Sequence, residues 1–198
     1  MQEKHSSSTA SIYIFDTKDP YGKRVFLEKA RFEEHILDHH PEMKGNEHAM
    51  KETVENPHLI IQSKQNPNRW LYVGKSDMAT YPLLNIKTVV DHTSTEYGYV
   101  VTGLFQRKLT RKRRERSFMK EPVKIHYDEE CDVLYISFGE PRPSYAEDFE
   151  DGVYIRYDME TDALTGVTIL DFSKRKNELK NMPWPFTFPT ESVNEVVH

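Results

Sequence analysis

Glu28-Lys29-Ala30-Arg31-Phe32-Glu33-Glu34-His35-Ile36-Leu37-Asp38-His39-His40-Pro41-Glu42 is the stretch around which the chain is organised. His35 and His39 lie four apart and share one face of a helix. Phe32 and Ile36 repeat that spacing and supply an apolar stripe. Pro41 disfavours a helical conformation for His40, so the helix is predicted to stop there. Two imidazoles then lie along one side, with a third and the carboxylate of Glu42 at the C-terminal end. That end carries partial negative charge and favours protonated imidazole. Titratable rings beside a carboxylate suit proton transfer near neutral pH, and equally suit a solvated helix cap.

Outward from this stretch, the pattern predicts two units. Ile12 to Phe15 and Arg24 to Leu27 are short β-prone runs around a turn at Asp19-Pro20 and Gly22. A second helix runs from about Asn46 to Glu55 and ends before Pro57. Four strands follow, at 58–62, 69–73, 84–91 and 97–105, each able to pair with the next through a short turn. After Arg107 comes a basic stretch without an apolar stripe, read as a solvated helix or linker. Beyond Pro122 the alternating runs 123–128, 132–138, 153–158 and 164–172 read as a second, all-β unit. It is small enough to need a partner surface. The expected fold class is therefore α+β: an N-terminal two-helix unit with a four-stranded antiparallel sheet, followed by a small β-meander domain. The expected divisions are a mobile tail at 1–10, a first domain at 11–106, a basic linker at 107–121, the β-meander at 122–176 and a Pro/aromatic tail at 177–198. In that tail, Trp184 and its neighbours either dock a partner or cover the chain's own sheet.

Composition limits the function classes. The chain is 37% hydrophobic, 30% charged and 12% aromatic, with mean hydropathy −0.74, which is polar but too aromatic for wholesale disorder. No apolar run reaches membrane-spanning length and no secretory signal opens the sequence, so a cytoplasmic setting is expected. Cys131 is the single cysteine and is read as a small buried side chain. The net charge of −5 is unevenly spread: residues 1–118 carry +4 and residues 119–198 carry −9. A basic unit followed by an acidic one suggests that the second lies over the first, or that the β-unit forms a homodimer; the seven Lys/Arg against Glu115 in Arg107 to Arg116 equally account for the tilt on their own.

Residues 18–108 resemble the phage-type branch of the barnase–EndoU–colicin–RelE-like nuclease superfamily. The resemblance rests on Lys18-Asp19-Pro20-Tyr21-Gly22, on His35 to Glu42, and on the Glu55-Asn56-Pro57 helix stop. It continues through Asn66-Pro67-Asn68-Arg69 and the strand ending Val100-Val101-Thr102 before Arg107-Lys108. Residues 123–175 resemble a small bacterial domain of unknown function, found by analogy beside small toxins. The first resemblance implies toxin-type, metal-independent RNA cleavage, in which the ribose 2′-OH attacks the adjacent phosphorus. It implies His35 and His40 as acid and base without a fixed order, and Glu42 as an orienting group or base. Thr102 would bind a phosphate oxygen. Arg31, His39, Arg69, Arg107 and Lys108 are the candidate substrate contacts, and the implied partner is RNA, with no cofactor and no membrane. Two other readings remain. His35, His39 and Glu42 could hold zinc, or the first unit could be a non-catalytic, regulatory nucleic-acid-binding module of toxin–antitoxin type.

Overall fold

The computed structural model of the 198-residue chain describes residues 12–75, 84–107, 117–118, 122–179, 182, 184 and 186–187. Two strands come first, β1 (Tyr13–Lys18) and β2 (Arg24–Glu28). A π-helical turn, Arg31–Ile36, runs directly into α1 (Leu37–His39), and a 3₁₀ turn, Pro41–Met43, leads to α2 (Glu47–Glu55). Strands β3 (Leu59–Gln62), β4 (Arg69–Lys75), β5 (Leu84–Asp91) and β6 (Tyr97–Arg107) complete the first half. The second half contains β7 (Ser117–Phe118), β8 (Val123–Asp128), β9 (Val133–Phe138), β10 (Ser144–Glu150), β11 (Val153–Asp158), β12 (Leu164–Leu170), α3 (Phe172–Leu179) and β13 (Phe186–Thr187).

The expected division into an α+β domain and a separate β-meander is overturned. Eleven strands form one mixed sheet, in the order β3-β4-β5-β6-β10-β11-β12-β9-β8, with β1 joined through β2 to β6. The hub is β6. One of its edges pairs antiparallel with β5 from Tyr99 to Arg107. Its other edge takes β2 in parallel, from Arg24↔Tyr97 to Phe26↔Tyr99, and then β10 in parallel at Tyr145↔Phe105 and Ala146↔Gln106. An eleven-residue strand has room for two short partners along one side, and taking both leaves less unpaired backbone at that edge. Neither the parallel pairings nor strand β10 was expected. The acidic run Glu147-Asp148-Phe149-Glu150 lies within β10 rather than in a loop.

The first-half sheet is covered on two faces. Phe32, Ile36, Met43, Met50 and Val54 from the helical segments pack against Val25, Leu27, Tyr72, Ile86 and Phe105. The helices come close enough that a Cβ on Gly103 would sit 2.6 Å from Met50 Cε. On the opposite face Leu71, Val89, Val101 and Leu104 meet Val133, Tyr135, Ala146, Tyr154 and Leu170 of the second half. Burial of such side chains contributes about 1.5–3 kcal/mol each, so the two halves share a core. Trp184 stacks on Phe149 at 5.7 Å, so that ring of the C-terminal segment covers the chain's own structure. The expected tail at 1–10, most of the linker at 107–121 and most of the segment 177–198 lie outside the described residues. Among the described residues no helix is long and apolar enough to cross a membrane.

Candidate functional site

The helical segment lays a polar stripe against the second half. Arg31, His35 and His39 recur every four residues, a rise of about 6 Å on an α-helix. Asp128 and His126, two apart on β8, are spaced about 6.6 Å along a strand. Arg31 and His35 share Asp128, and His39 meets His126 one strand repeat away. Arg31 Nη1 donates to Asp128 Oδ2 at 2.7 Å, with both side chains buried, and its other terminal nitrogen approaches Cys131 Sγ. His35 Nδ1 lies 3.9 Å from the same carboxylate. His39 Nε2 is 2.7 Å from His126 Nδ1, and the His39 ring stacks on Tyr135 with centroids 3.8 Å apart. Burial, followed by the nearby His40, His126, Arg156 and His35, pushes the His39 pKa down to about 2.

His40 turns the other way, into the protein, and has no exposed surface. Pro41 ends the helix at this residue, whose backbone leaves helical geometry at φ −135°. Its Nδ1 lies 3.1 Å from Glu42 Oε1. Nε2 of His40 and Oε2 of Glu42 are buried without a hydrogen-bond partner among the described residues. Burial holds this imidazole below its ordinary pKa, against the opposing pull of Glu42. Tyr135 meets His40 edge-on at 5.9 Å, and its hydroxyl lies beside Thr102, itself fully buried. Arg156, buried on β11, donates to the His39 carbonyl at 2.5 Å and to the Ile136 carbonyl and Ser137 Oγ. Its passage under β12 needs Gly166, where a Cβ would lie 2.5 Å from Arg156 Nη2.

His39, His40 and Thr102 therefore converge on Tyr135 inside the seam between the halves. His35 is not part of that buried group. It lines a cleft of ≈ 780 Å³ together with Arg31, Tyr97, Tyr99 and Glu130. The candidate cations are already engaged. Arg69 is buried and bonds the Cys131 carbonyl at 2.7 Å, with Asp91 at 3.4 Å and Asp171 at 3.3 Å. Arg107 reaches the Tyr145 hydroxyl at 3.0 Å and Asp162 at 3.4 Å. Lys108 lies outside the described residues. Lys87, which the sequence reading passed over, meets Asp148 at 3.1 Å and stands over the Tyr154 ring.

Sequence reading missed Tyr135, His126, Asp128 and Arg156. Their one signal was polar or aromatic side chains in strands of an otherwise apolar unit. Among the described residues no three His, Cys, Asp or Glu side chains gather to hold a metal ion, so His35, His39 and Glu42 do not converge as zinc ligands. Residues 124–173, from β8 into α3, match the model of a family described as a protein of unknown function (DUF2283). No curated protein and no solved structure matches the chain.

Proposed function

We propose that the chain is a metal-independent endoribonuclease whose catalytic face is covered by its own C-terminal half. The observation that carries this reading is the His40–Glu42 pair, with Nε2 of the imidazole buried and unpartnered. A buried nitrogen without a partner costs about 1–3 kcal/mol, and a catalytic role is one reason such a group is kept. Glu42 bonded to Nδ1 fixes the tautomer that leaves Nε2 free to accept a proton. In an opened form His40 would take the 2′-OH proton and Glu42 would stabilise the imidazolium. A second imidazole, His35 or His39, would protonate the leaving 5′-oxygen, His39 only once opening relieves the burial that lowers its pKa. Arg69 and Lys87, released from Asp171 and Asp148, would face the charged phosphorane. A 2′-OH nucleophile restricts the reaction to RNA.

The test uses the full chain with EDTA present and single-stranded RNA as substrate. Asp128→Asn with Asp148→Asn loosens two ion pairs across the seam and should raise the cleavage rate above wild type. Adding His40→Ala should abolish it, with circular dichroism reporting the fold. Absence of cleavage in every form, or cleavage that survives His40→Ala, refutes the proposal. One observation favours a second, regulatory reading without catalysis: Arg31, Arg69 and Arg107 are each held by a carboxylate of the second half. RNA binding without cleavage in the same assay would select it.

A further inference from the structure

We propose that the cleft beside His35 binds a small organic polycation bearing amine or guanidine groups. This stands apart from the ribonuclease reading, which uses the buried face. The cleft, at ≈ 780 Å³, falls within the size range of small-molecule sites. Its walls are of two kinds. Phe26 of β2 and Tyr97 and Tyr99 of β6 present rings, and Tyr97 is 43% exposed. Glu28 and Glu34 from the first half and Glu130 from the second present carboxylates. All three glutamates are exposed and have no ion-pair partner among the described residues.

The charge balance decides the ligand. Arg31 is the one arginine or lysine among the lining residues, and Asp128 neutralises it at 2.7 Å. The glutamates remain uncompensated, so the cleft repels phosphates and attracts cations. Glu130 reaches the aromatic wall: burial and Asp91 raise the Tyr99 pKa, Arg69 and Arg31 oppose them, and Glu130 adds a smaller rise. The aromatic wall already accepts a cation. The Arg24 guanidinium lies 5.8 Å from the Phe26 centroid, and Phe26 in turn lies 5.7 Å from Tyr97. A ring wall facing carboxylates is the arrangement that recognises ammonium and guanidinium groups. Because Glu130 belongs to the second half and the rings to the first, a bound polycation would bridge the seam and stabilise the closed chain.

Calorimetric titration of the full chain with spermidine and with agmatine tests this, with adenosine monophosphate as the anionic control. Both cations should bind, and more weakly at high salt. Glu34→Gln with Glu130→Gln, at exposed positions that keep the fold, should weaken binding about tenfold, and Tyr97→Leu should weaken it independently. Thermal melts of each variant check folding. The proposal is overturned by failure of both cations to bind. Unchanged affinity in the double variant, or a tighter complex with the nucleotide than with spermidine, overturns it equally.

Discussion

Lowering the pH from 7 to 5 should destabilise the chain through His40, and the structure sets the size of the effect. His40 is completely buried, and burial holds its folded-state pKa below the ordinary 6.5. The unfolded chain, with an ordinary imidazole, binds its proton first as the pH falls. Stability from this ring is therefore complete above pH 6.5 and drains away as the pH drops from there towards the folded value. A ring that stayed neutral throughout would forfeit about 2 kcal/mol between pH 7 and pH 5. The Glu42 carboxylate, 3.1 Å from Nδ1, opposes the shift, so this is a ceiling. His39 and His92, also held low by burial, act with the same sign. Urea unfolding at both pH values, for wild type and His40→Gln, isolates the term. The variant keeps a hydrogen-bonding group near Glu42 but cannot titrate, so its loss on acidification should be smaller by up to about 2 kcal/mol. Equal losses in the two proteins, or a wild type that gains stability at pH 5, would refute the reasoning.

Gly166→Ala should cost about 2–3 kcal/mol. The new methyl would press on the Ile136 carbonyl oxygen and on Arg156, and the carbonyl belongs to β9, paired with β12. Thermal melting measures the loss, and an unchanged midpoint contradicts the close approach. Arg69→Met should cost about 3–5 kcal/mol, because Asp171 and Asp91 lose their cation while remaining buried. Adding Asp171→Asn should recover part of that loss in denaturant titrations, whereas strictly additive losses would show that the pair is not coupled.

Much of the local structure was legible. Pro41 stops the helix where expected, and Pro57 lies two residues beyond the end of α2. Alternation located the strand that carries Gly166 and the two strands that flank the Asp128–Asp132 turn. What alternation does not report is which edge joins which strand. The parallel pairing of β10 to β6 links residues about forty apart through two residue pairs, too few to leave a mark in the sequence. The carboxylates of β10 look like a loop because their use is distant: Asp148 meets Lys87 and Gln106, both on the first-half sheet. Likewise α3, Phe-Ser-Lys-Arg-Lys-Asn-Glu-Leu, lacks an apolar stripe. At the site, the His35 and His39 spacing was visible, but their partners on β8 and β9 were not. His126 is 87 residues from His39, and no local pattern connects them.

The chemistry of the seam bears on whether the halves separate. A purely structural junction between the two halves would be expected to be apolar throughout. This one mixes the Leu71, Val89 and Val101 patch with Arg31–Asp128, Arg69–Asp171 and Lys87–Asp148. The two fully buried pairs, Arg31–Asp128 and Arg69–Asp171, bear a desolvation cost that their attraction roughly offsets, so they add register more than net stability. Domain interfaces that move are also more polar than cores. In each of the three pairs the cation comes from the first half and the carboxylate from the second. The acidic surplus of the second half thus meets basic groups of the first half. On the proposed ribonuclease reading, a polyanion competing for Arg69 and Lys87 would offer the first half the same charge pairing and release the second, so that opening would be a competition between two anionic partners for one set of cations.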